Sequence, residues 1–210
     1  MTALPSVVFD LGPLIAFNKP SGMASIRERG GPEGSSLHEL ISAREGRKIF
    51  IVHRLDKDTS GVLLFARDAA AHRRLSLLFE TRQVGKSYLA WVKGEPAQPS
   101  GIVDAPLREF GSGRTAVDPR GKPAVTRWTV LRRLDGDALL DVRPETGRRH
   151  QIRVHLFSIG HPVLGDRLYG KPLPVGGVPR LMLHARELIV PWDDPEPLRL
   201  TAPPPPVFLR

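Results

Sequence analysis

Short apolar runs separated by glycine, proline and charged residues make up most of the chain. The runs Val7–Phe9 and Leu14–Asn18 lie on either side of Leu11–Pro13, a turn-forming sequence, and predict an early strand or hairpin. Residues 62–66 have an apolar strand pattern after a turn, and residues 86–92 are rich in β-forming side chains. The pattern therefore predicts several short strands in the first half of the chain.

Three segments have the apolar spacing of a helix. The first follows Ser36, which starts a capping-box sequence, and ends at Gly46. The second follows Asp68, a residue suited to cap a helix, and has a clear apolar stripe. The third covers residues 151–159 and is closed by Gly160. All three are predicted to be short helices between strands.

A second hairpin is predicted later in the chain. Asp135–Asp137 is a strong turn signal between the predicted strands Ala124–Leu131 and Ala138–Val142. The preceding segment Gly111–Lys122 is rich in glycine and basic residues, so it is predicted to be a mobile loop.

The end of the chain contains two short strand signals and a proline-rich tail. Residues 181–183 and 188–190 are predicted strands, and residues 191–210 are predicted to be extended on the surface or frayed. Neither an internal repeat nor a linker between two cores is recognisable. We therefore expect a single domain over residues 1–210, with its core at about 15–191.

The amino-acid composition is that of an ordinary globular protein. Among 210 residues, 40% are hydrophobic and 25% charged, which argues against a largely disordered chain. No stretch approaches the ~20 apolar residues of a membrane helix, and the first residues lack the pattern of a secretory signal. With no cysteine, disulfides and thiolate metal sites are excluded. We expect a cytoplasmic protein without a membrane partner.

The charge balance predicts a polyanionic partner. There are 31 Lys and Arg residues against 22 Asp and Glu, giving a formal net charge of +9. The cations are concentrated in clusters where a phosphate backbone can be bound: Arg44, Arg47 and Lys48; Arg73 and Arg74; Arg132 and Arg133; and Arg143, Arg148, Arg149 and Arg153.

The most distinctive candidate for chemistry is one carboxylate among cations. Arg54 precedes Asp56 by two residues and Lys57 follows it directly, so nearby positive charge is expected to keep Asp56 ionised and available as a nucleophile. Gly61 ends the turn and can take a backbone conformation closed to other residues just before a strand. An isolated Arg-x-Asp pair is more often an exposed ion pair worth about 0–1 kcal/mol. On this pair alone the ion-pair interpretation is favoured, and the chemical interpretation depends on the nine residues 53–61.

Residues 53–61, His-Arg-Leu-Asp-Lys-Asp-Thr-Ser-Gly, resemble the signature of the RluA family of pseudouridine synthases, which isomerise uridine in RNA. The resemblance extends from about residue 15 to 191. Further similar motifs occur in the family's order: Asn18–Gly22, Lys86–Tyr88, Gly147–Leu156, Gly165-Asp166 with Tyr169-Gly170, and Leu183–Ala185.

The resemblance implies roles for particular residues. Asp56 is the implied catalytic residue, Arg54 helps to hold the target nucleotide flipped out, and Tyr88 stacks on the target base. Arg153 contacts the catalytic carboxylate. The motif around Arg153 adds candidate substrate-binding residues, namely Arg148, Arg149, His150 and Gln151. Extruding a uridine from stacked RNA and covering it with an aromatic ring agrees with these assignments.

The resemblance also implies the fold and the partners. It implies an α+β domain built on a mixed, largely antiparallel sheet with flanking helices, whereas the residue pattern alone supports a mixture of hairpins and short helices. The implied substrate is a specific uridine in structured ribosomal or transfer RNA. No cofactor and no metal are expected, the protein is expected to be a monomer, and no N-terminal S4-type domain is expected before the catalytic region.

Alternatives remain open at this stage. Tyr88 alone fits a half-buried strand tyrosine and Arg153 a solvated helix arginine. His150 and His155 lack the spacing and companions of a zinc site, so core or backbone-bonded histidines are expected. A catalytically idle RNA-binding or RNA-chaperone protein with the same fold is the main alternative function. A metal-dependent phosphate-ester hydrolase would need a carboxylate and histidine cluster that the sequence does not provide.

Overall fold

The computed structural model describes residues 4–111, 113–170, 178, 180–192 and 195–209. The chain divides into two units. The first contains Met1–Gly85 and Ala185–Pro204, and the second contains Lys86–His184 and Pro205–Arg210. Residues 185–204 thus belong to the first unit, and residues 205–210 belong to the second.

The strands of the first unit follow the order β1-β2-β4-β11, with β3 added to β4 and β12 added to β11. The pairs β1–β2, β2–β4, β3–β4 and β11–β12 are antiparallel. The predicted early hairpin is confirmed as β1 and β2. Every residue of β4 is buried, so this strand is the centre of the unit's core. The bounds are β1 Val7–Leu11, β2 Leu14–Lys19, β3 Phe50–Ile51, β4 Ser60–Ala66, β11 Leu183–Val190 and β12 Leu198–Thr201.

Two helices belong to the first unit, α1 (Leu37–Glu45) and α2 (Ala69–Glu80). Both predicted caps are confirmed, because the side chain of Ser36 accepts a hydrogen bond in a full capping box and that of Asp68 accepts from the backbone of the first turn of α2. Gly46 ends α1 in the left-handed conformation.

The second unit contains a sheet of order β5-β10-β9-β6 and a separate pair, β7-β8. The predicted hairpin turn is confirmed, because Asp135 and Gly136 both have positive φ between the paired strands β9 and β10. The bounds are β5 Gly85–Lys93, β6 Ser100–Asp104, β7 Leu107–Glu109, β8 Thr115–Val117, β9 Val125–Leu134, β10 Asp137–Pro144 and α3 Gln151–Ser158.

The predicted mobile loop Gly111–Lys122 is wrong for the part that the structure describes, which excludes Ser112. The segment contains β8, which pairs with β7, and at its end reciprocal backbone hydrogen bonds join Leu107 and Lys122. Glycine and basic residues suggested a loop, but the main-chain pairing depends little on side-chain polarity. Main-chain hydrogen bonds therefore hold β8 and Lys122 against β7.

Of the two late strands predicted at 181–183 and 188–190, the first overlaps the observed strand β11 only at Leu183, and the second forms the end of that same strand. The polar residues inside it interrupt the apolar pattern, but Glu187 lies opposite Thr201 of β12 and pairs with Arg199 at 3.3 Å. The proline-rich tail is therefore partly strand, and it ends in a 3₁₀ turn at Pro206–Phe208. Residues 193, 194 and 210 of the predicted tail lie outside the described residues.

The α+β fold with a mixed, largely antiparallel sheet and flanking helices is confirmed. Along the described stretches of chain, no helix has the length and apolar character needed to cross a membrane. The expectation of a single domain stays a prediction.

Candidate active site

Asp56 lies on a loop that leads into β4. Its carbonyl oxygen accepts a hydrogen bond from the N–H of Thr59 at 3.1 Å, which closes the turn. The preceding Leu55 is buried, and the hydroxyl of Ser25 serves both its main-chain groups, donating to the carbonyl at 2.7 Å and accepting from the N–H at 3.1 Å. The Asp56 loop, residues 53–59, is thus fixed from both sides of its carboxylate.

A fully buried lysine fastens the other end of this loop. The Nζ of Lys19 donates to the carbonyl oxygens of Pro20 (3.1 Å), Met23 (2.7 Å) and Lys57 (2.9 Å). The carbonyl of Lys57 also accepts from the N–H of Gly22 at 2.9 Å. Burial of an ammonium group is tolerated only with such partners. The motif at residues 18–22 therefore holds the residue next to Asp56 in place.

His53, the first residue of the signature, contacts both β4 and α2. His53 Nε2 accepts from the backbone N–H of Leu64 in β4 at 2.9 Å, so this nitrogen is unprotonated. The ring stacks on Phe79 of α2 with centroids 4.8 Å apart. Arg54, the next residue, is exposed. His53 positions the loop, and Arg54 projects where a polyanion can reach it.

Gly61 is required by a close approach of backbone. Its φ is +120°, and a Cβ at this position would lie 2.1 Å from the carbonyl oxygen of Ala185. No side chain fits there without movement of the strand. The turn after Asp56 is therefore packed directly on the start of β11 within the first unit.

Arg153 lies on α3 in the second unit and is 7% exposed. It forms a bidentate pair with Asp166, Nε to Oδ2 at 2.7 Å and Nη2 to Oδ1 at 2.8 Å. Burial by itself raises the pKa of Asp166, but the Arg153 hydrogen bonds and charge outweigh burial and lower the pKa below its usual value. The interpretation of Arg153 as a solvated helix arginine is wrong.

Tyr88 lies on β5 opposite Val142 of β10. It is half-buried and packs against the core of the second unit. Partial exposure of this residue is compatible with both a strand tyrosine and a base-stacking tyrosine. Its role in stacking stays a prediction.

The turn before α3 contains the other candidate residues. Arg148 Nε donates to the carbonyl of Pro123 at 3.2 Å, and Arg149 lies 3.8 Å from a carboxylate oxygen of Glu109. His150 has a positive φ of 53° and its Nδ1 shares a hydrogen bond with the hydroxyl of Tyr169 at 2.8 Å. These side chains line one turn of the second unit.

Gln151 is buried, and its side chain has four hydrogen bonds inside the protein. Its Oε1 accepts from the Thr146 hydroxyl at 2.7 Å and from the Arg148 N–H at 2.9 Å. Its Nε2 donates to the Val125 carbonyl at 2.9 Å and to the Thr126 hydroxyl at 3.0 Å. Gln151 therefore fixes the turn from inside the fold, and we revise its predicted place among the RNA contacts to a positioning role.

His155 continues this internal network. Its Nδ1 shares a hydrogen bond with the Thr126 hydroxyl at 2.8 Å, and its Nε2 donates to the Ala105 carbonyl at 2.9 Å. Burial lowers its pKa, which favours the neutral ring. The prediction of a core, backbone-bonded histidine is confirmed here. Among the residues that the structure describes, no group of three or more His, Cys, Asp or Glu side chains is placed to hold a metal ion.

Comparison with known proteins identifies the family. Residues 13–158 match the family model described as RNA pseudouridylate synthase. The dual-specificity RNA pseudouridine synthase RluA of Escherichia coli is 39% identical over 181 residues, covering 84% of this chain and 82% of the relative. The chain belongs to the RluA family of RNA pseudouridine synthases. It is thus an isomerase that acts on RNA.

Other relatives extend the similarity to nearly the whole chain. An uncharacterized RNA pseudouridine synthase of Zymomonas mobilis is 40% identical over 209 residues, covering 96% of this chain and 94% of the relative. Ribosomal large subunit pseudouridine synthase D of Nitrosomonas europaea is 38% identical over 218 residues, and the chain spans 63% of its length. The solved human RNA pseudouridylate synthase domain containing 1 has a TM-score of 0.80 at 29% identity, covering 97% of this chain and 85% of that one.

The candidate residues of this pseudouridine synthase fall in both units. Arg54 and Asp56 belong to the first, whereas Tyr88 and residues 148–153 belong to the second. Sequence reasoning assigned no role to three further groups, Lys19, Asp166 and Tyr169, although it noted the motifs that contain them. The motifs were a usable signal, but the roles depend on partners distant in sequence.

Proposed function

We propose that this enzyme converts a specific uridine in structured ribosomal RNA, transfer RNA or both to pseudouridine, with Asp56 as the essential carboxylate and without a cofactor or metal. One observation carries the proposal. The Asp56 carboxylate follows a residue whose two main-chain groups are tied to Ser25 and precedes one whose carbonyl is tied to buried Lys19. A carboxylate presented on a fixed loop is suited to attack a positioned sugar.

The reaction rearranges atoms without adding any. The N1–C1′ bond breaks, the detached uracil rotates, and a C5–C1′ bond forms. The proton on C5 is lost and N1 acquires one, so substrate and product are isomers. Asp56 either attacks C1′ to form a covalent intermediate or promotes a glycal intermediate.

Most of the proposed binding groups belong to the second unit, whereas Arg54 belongs to the first. A uridine in folded RNA must leave its stack before a protein carboxylate can reach its sugar. Tyr88, which is half-buried, is assigned to stack its ring on the extruded base, a contact worth roughly 1–3 kcal/mol in other proteins. Arg54, Arg148 and Arg149 are assigned to phosphates or to the flipped nucleotide, and Arg153 to negative charge in the reacting centre.

The names of the relatives support the range of substrates. The relative from Escherichia coli is named a dual-specificity enzyme, and that from Nitrosomonas europaea a ribosomal large subunit enzyme. The basic excess of this chain, 31 cations against 22 anions, fits any structured RNA.

The test is a map of pseudouridine across total cellular RNA with and without the enzyme. We expect one or a few sites in ribosomal or transfer RNA to lose pseudouridine when the enzyme is absent. They should regain it when purified enzyme is added to that RNA in the presence of a chelator. An unchanged map, together with RNA binding by the purified protein, would instead favour the idle RNA-binding alternative.

A further inference from the structure

Tyr169 connects three parts of the second unit. The residue is 6% exposed and packs in a small buried cluster with Leu107 of β7, Ala124 and Val154 of α3. The ring, the backbone and the hydroxyl of Tyr169 each have a different partner.

The ring faces the proposed catalytic arginine. The guanidinium carbon of Arg153 lies 5.2 Å from the ring centroid, within the range of a cation–π contact. The backbone N–H of Tyr169 donates to Oδ1 of Asp166 at 3.1 Å, the same oxygen that receives one of the Arg153 hydrogen bonds. The orientation of Arg153 is therefore set by the carboxylate and the aromatic face together.

The hydroxyl joins two backbone segments that carry proposed RNA contacts. It accepts from the N–H of Thr115 in β8 at 2.8 Å and shares a hydrogen bond with His150 Nδ1 at 2.8 Å. Thr115 is the register partner of Glu109 in β7, and Glu109 lies 3.8 Å from Arg149. These contacts connect the hydroxyl of Tyr169 through β8 and β7 to Arg149. The next residue, His150, is hydrogen-bonded to the same hydroxyl.

The backbone conformation of His150 explains why these contacts are needed. A positive φ is uncommon for residues other than glycine, although histidine is among those found there more often, and it persists where surrounding contacts hold it. The bond from its ring to Tyr169 is one such contact. Loss of that bond would allow the turn at Arg148 and Arg149 to relax.

We propose that Tyr169 is a positioning residue with two separable functions in this enzyme. Its ring, with Asp166, orients Arg153 for the chemical step. Its hydroxyl holds the β7–β8 pair and the Arg148–His150 turn in the conformation that binds RNA. This inference rests on the proposed function, because it takes Arg153 as a reacting group and the turn as an RNA contact.

Two substitutions separate these functions. Tyr169→Phe keeps the ring and removes the hydroxyl, so the RNA concentration at half-maximal rate should rise about tenfold, as expected from two lost hydrogen bonds, while the single-turnover rate at saturating RNA stays within about twofold. Tyr169→Leu removes the aromatic face as well, so that saturating rate should also fall at least about tenfold.

Thr81→Val is the control. The hydroxyl of Thr81 donates to the carbonyl of Leu77 at 2.7 Å in the first unit, and it has no part in the contacts of Tyr169. We expect Thr81→Val to bind and react as the unaltered enzyme does. Circular dichroism at the assay temperature verifies that each variant is folded.

The binding half of the test is repeated in proteins that also carry Asp56→Asn, so that RNA affinity is measured without turnover. An equal affinity of the Tyr169 and Tyr169→Phe proteins would overturn the inference, and so would a Tyr169→Phe enzyme that loses rate at saturating RNA but no affinity. Turnover retained in Asp56→Asn alone would overturn the proposed function instead. The two failures are therefore distinguishable.

Discussion

The Asp56 loop and the Arg153 cluster, which comprises Arg153, Asp166, Tyr169 and His150, are fixed by different kinds of contact. In the loop, Lys19 and Ser25 bind main-chain groups on either side of the carboxylate. In the cluster, an ion pair, an aromatic ring and a hydroxyl hold side chains. The loop therefore fixes where the backbone runs, whereas the cluster fixes how one guanidinium points. Substitutions in the two regions should have different consequences.

The largest effect within the loop is expected at Lys19. Lys19→Met removes the ammonium and leaves three carbonyls without this donor, each at a cost of ~1–3 kcal/mol where it stays buried, so unfolding free energy should fall by at least about 3 kcal/mol. Urea unfolding measures the change. Lys57→Met removes an exposed ammonium that pairs with Glu28 and keeps the main-chain carbonyl that Lys19 binds, so it serves as the control and should be nearly neutral. A Lys19→Met protein as stable as the unaltered enzyme would contradict the assigned role of the lysine.

A similar loss of stability is expected in the cluster, but with a different catalytic signature. Asp166→Asn removes the charge that pairs with buried Arg153, which typically costs about 3–5 kcal/mol. In the fraction that folds, the chemical rate should fall because Arg153 is no longer held by two charged oxygens. Asp118→Asn is the control, since Asp118 pairs with the largely exposed Arg120. Full activity in folded Asp166→Asn would show that the guanidinium needs no such partner.

Ser25→Ala tests the loop more gently. The substitution leaves the buried N–H and carbonyl of Leu55 without their shared hydroxyl, at an expected cost of about 1–3 kcal/mol. Because Lys19 still fastens the other end, the variant should fold and lose rate more than RNA affinity. Ser42→Ala, which removes a hydroxyl bonded to a carbonyl within α1, provides the comparison. Equal behaviour of the two serine variants would mean that Ser25 has no special relation to Asp56.

The smallest effect expected is a pH dependence confined to the second unit. The pKa of buried His155 is lowered, so the unfolded chain binds a proton more readily than the folded one. Stability should therefore decrease as the pH falls below about 6.5, the ordinary histidine value, by at most about 1.4 kcal/mol per pH unit. Urea unfolding at pH 7.5, 6.5 and 5.5 measures the slope. His155→Gln cannot titrate and should have a shallower slope; an identical slope would assign the dependence to other groups.

Local signals explain which parts of the fold were predictable from the sequence. Ser36 and Asp68 cap helices through contacts within one turn, and Asp135-Gly136 forms a hairpin turn by its own backbone preference. The β7–β8 pair was missed because its composition resembles a loop while its stability comes from main-chain pairing. The strand β11 was predicted as two separate strands because the polar residue Glu187 interrupts its apolar pattern. In the folded protein Glu187 pairs with Arg199 of β12.

The roles of the candidate site residues could be predicted only where a recognisable motif surrounds them. Asp56 was found because the whole signature surrounds it. The partnership of Lys19 with Lys57, 38 residues away, has no local signal, and neither has that of Tyr169 with Thr115, 54 residues away. Gln151 was assigned to RNA because it lies in a motif with arginines, but its burial and internal hydrogen bonds are properties of the folded unit.

The most direct test of the central claim is the turnover of Asp56→Asn beside that of Asp58→Asn. RNA labelled with tritium at uridine C5 releases the label when the C5 proton is lost, so released tritium measures the reaction itself. We predict no release with Asp56→Asn, RNA affinity within about tenfold, or ~1.4 kcal/mol, of the unaltered enzyme, and near-normal release with the exposed-site control Asp58→Asn. Tritium release by Asp56→Asn at a rate comparable with the control would contradict the assignment of Asp56 as the essential carboxylate.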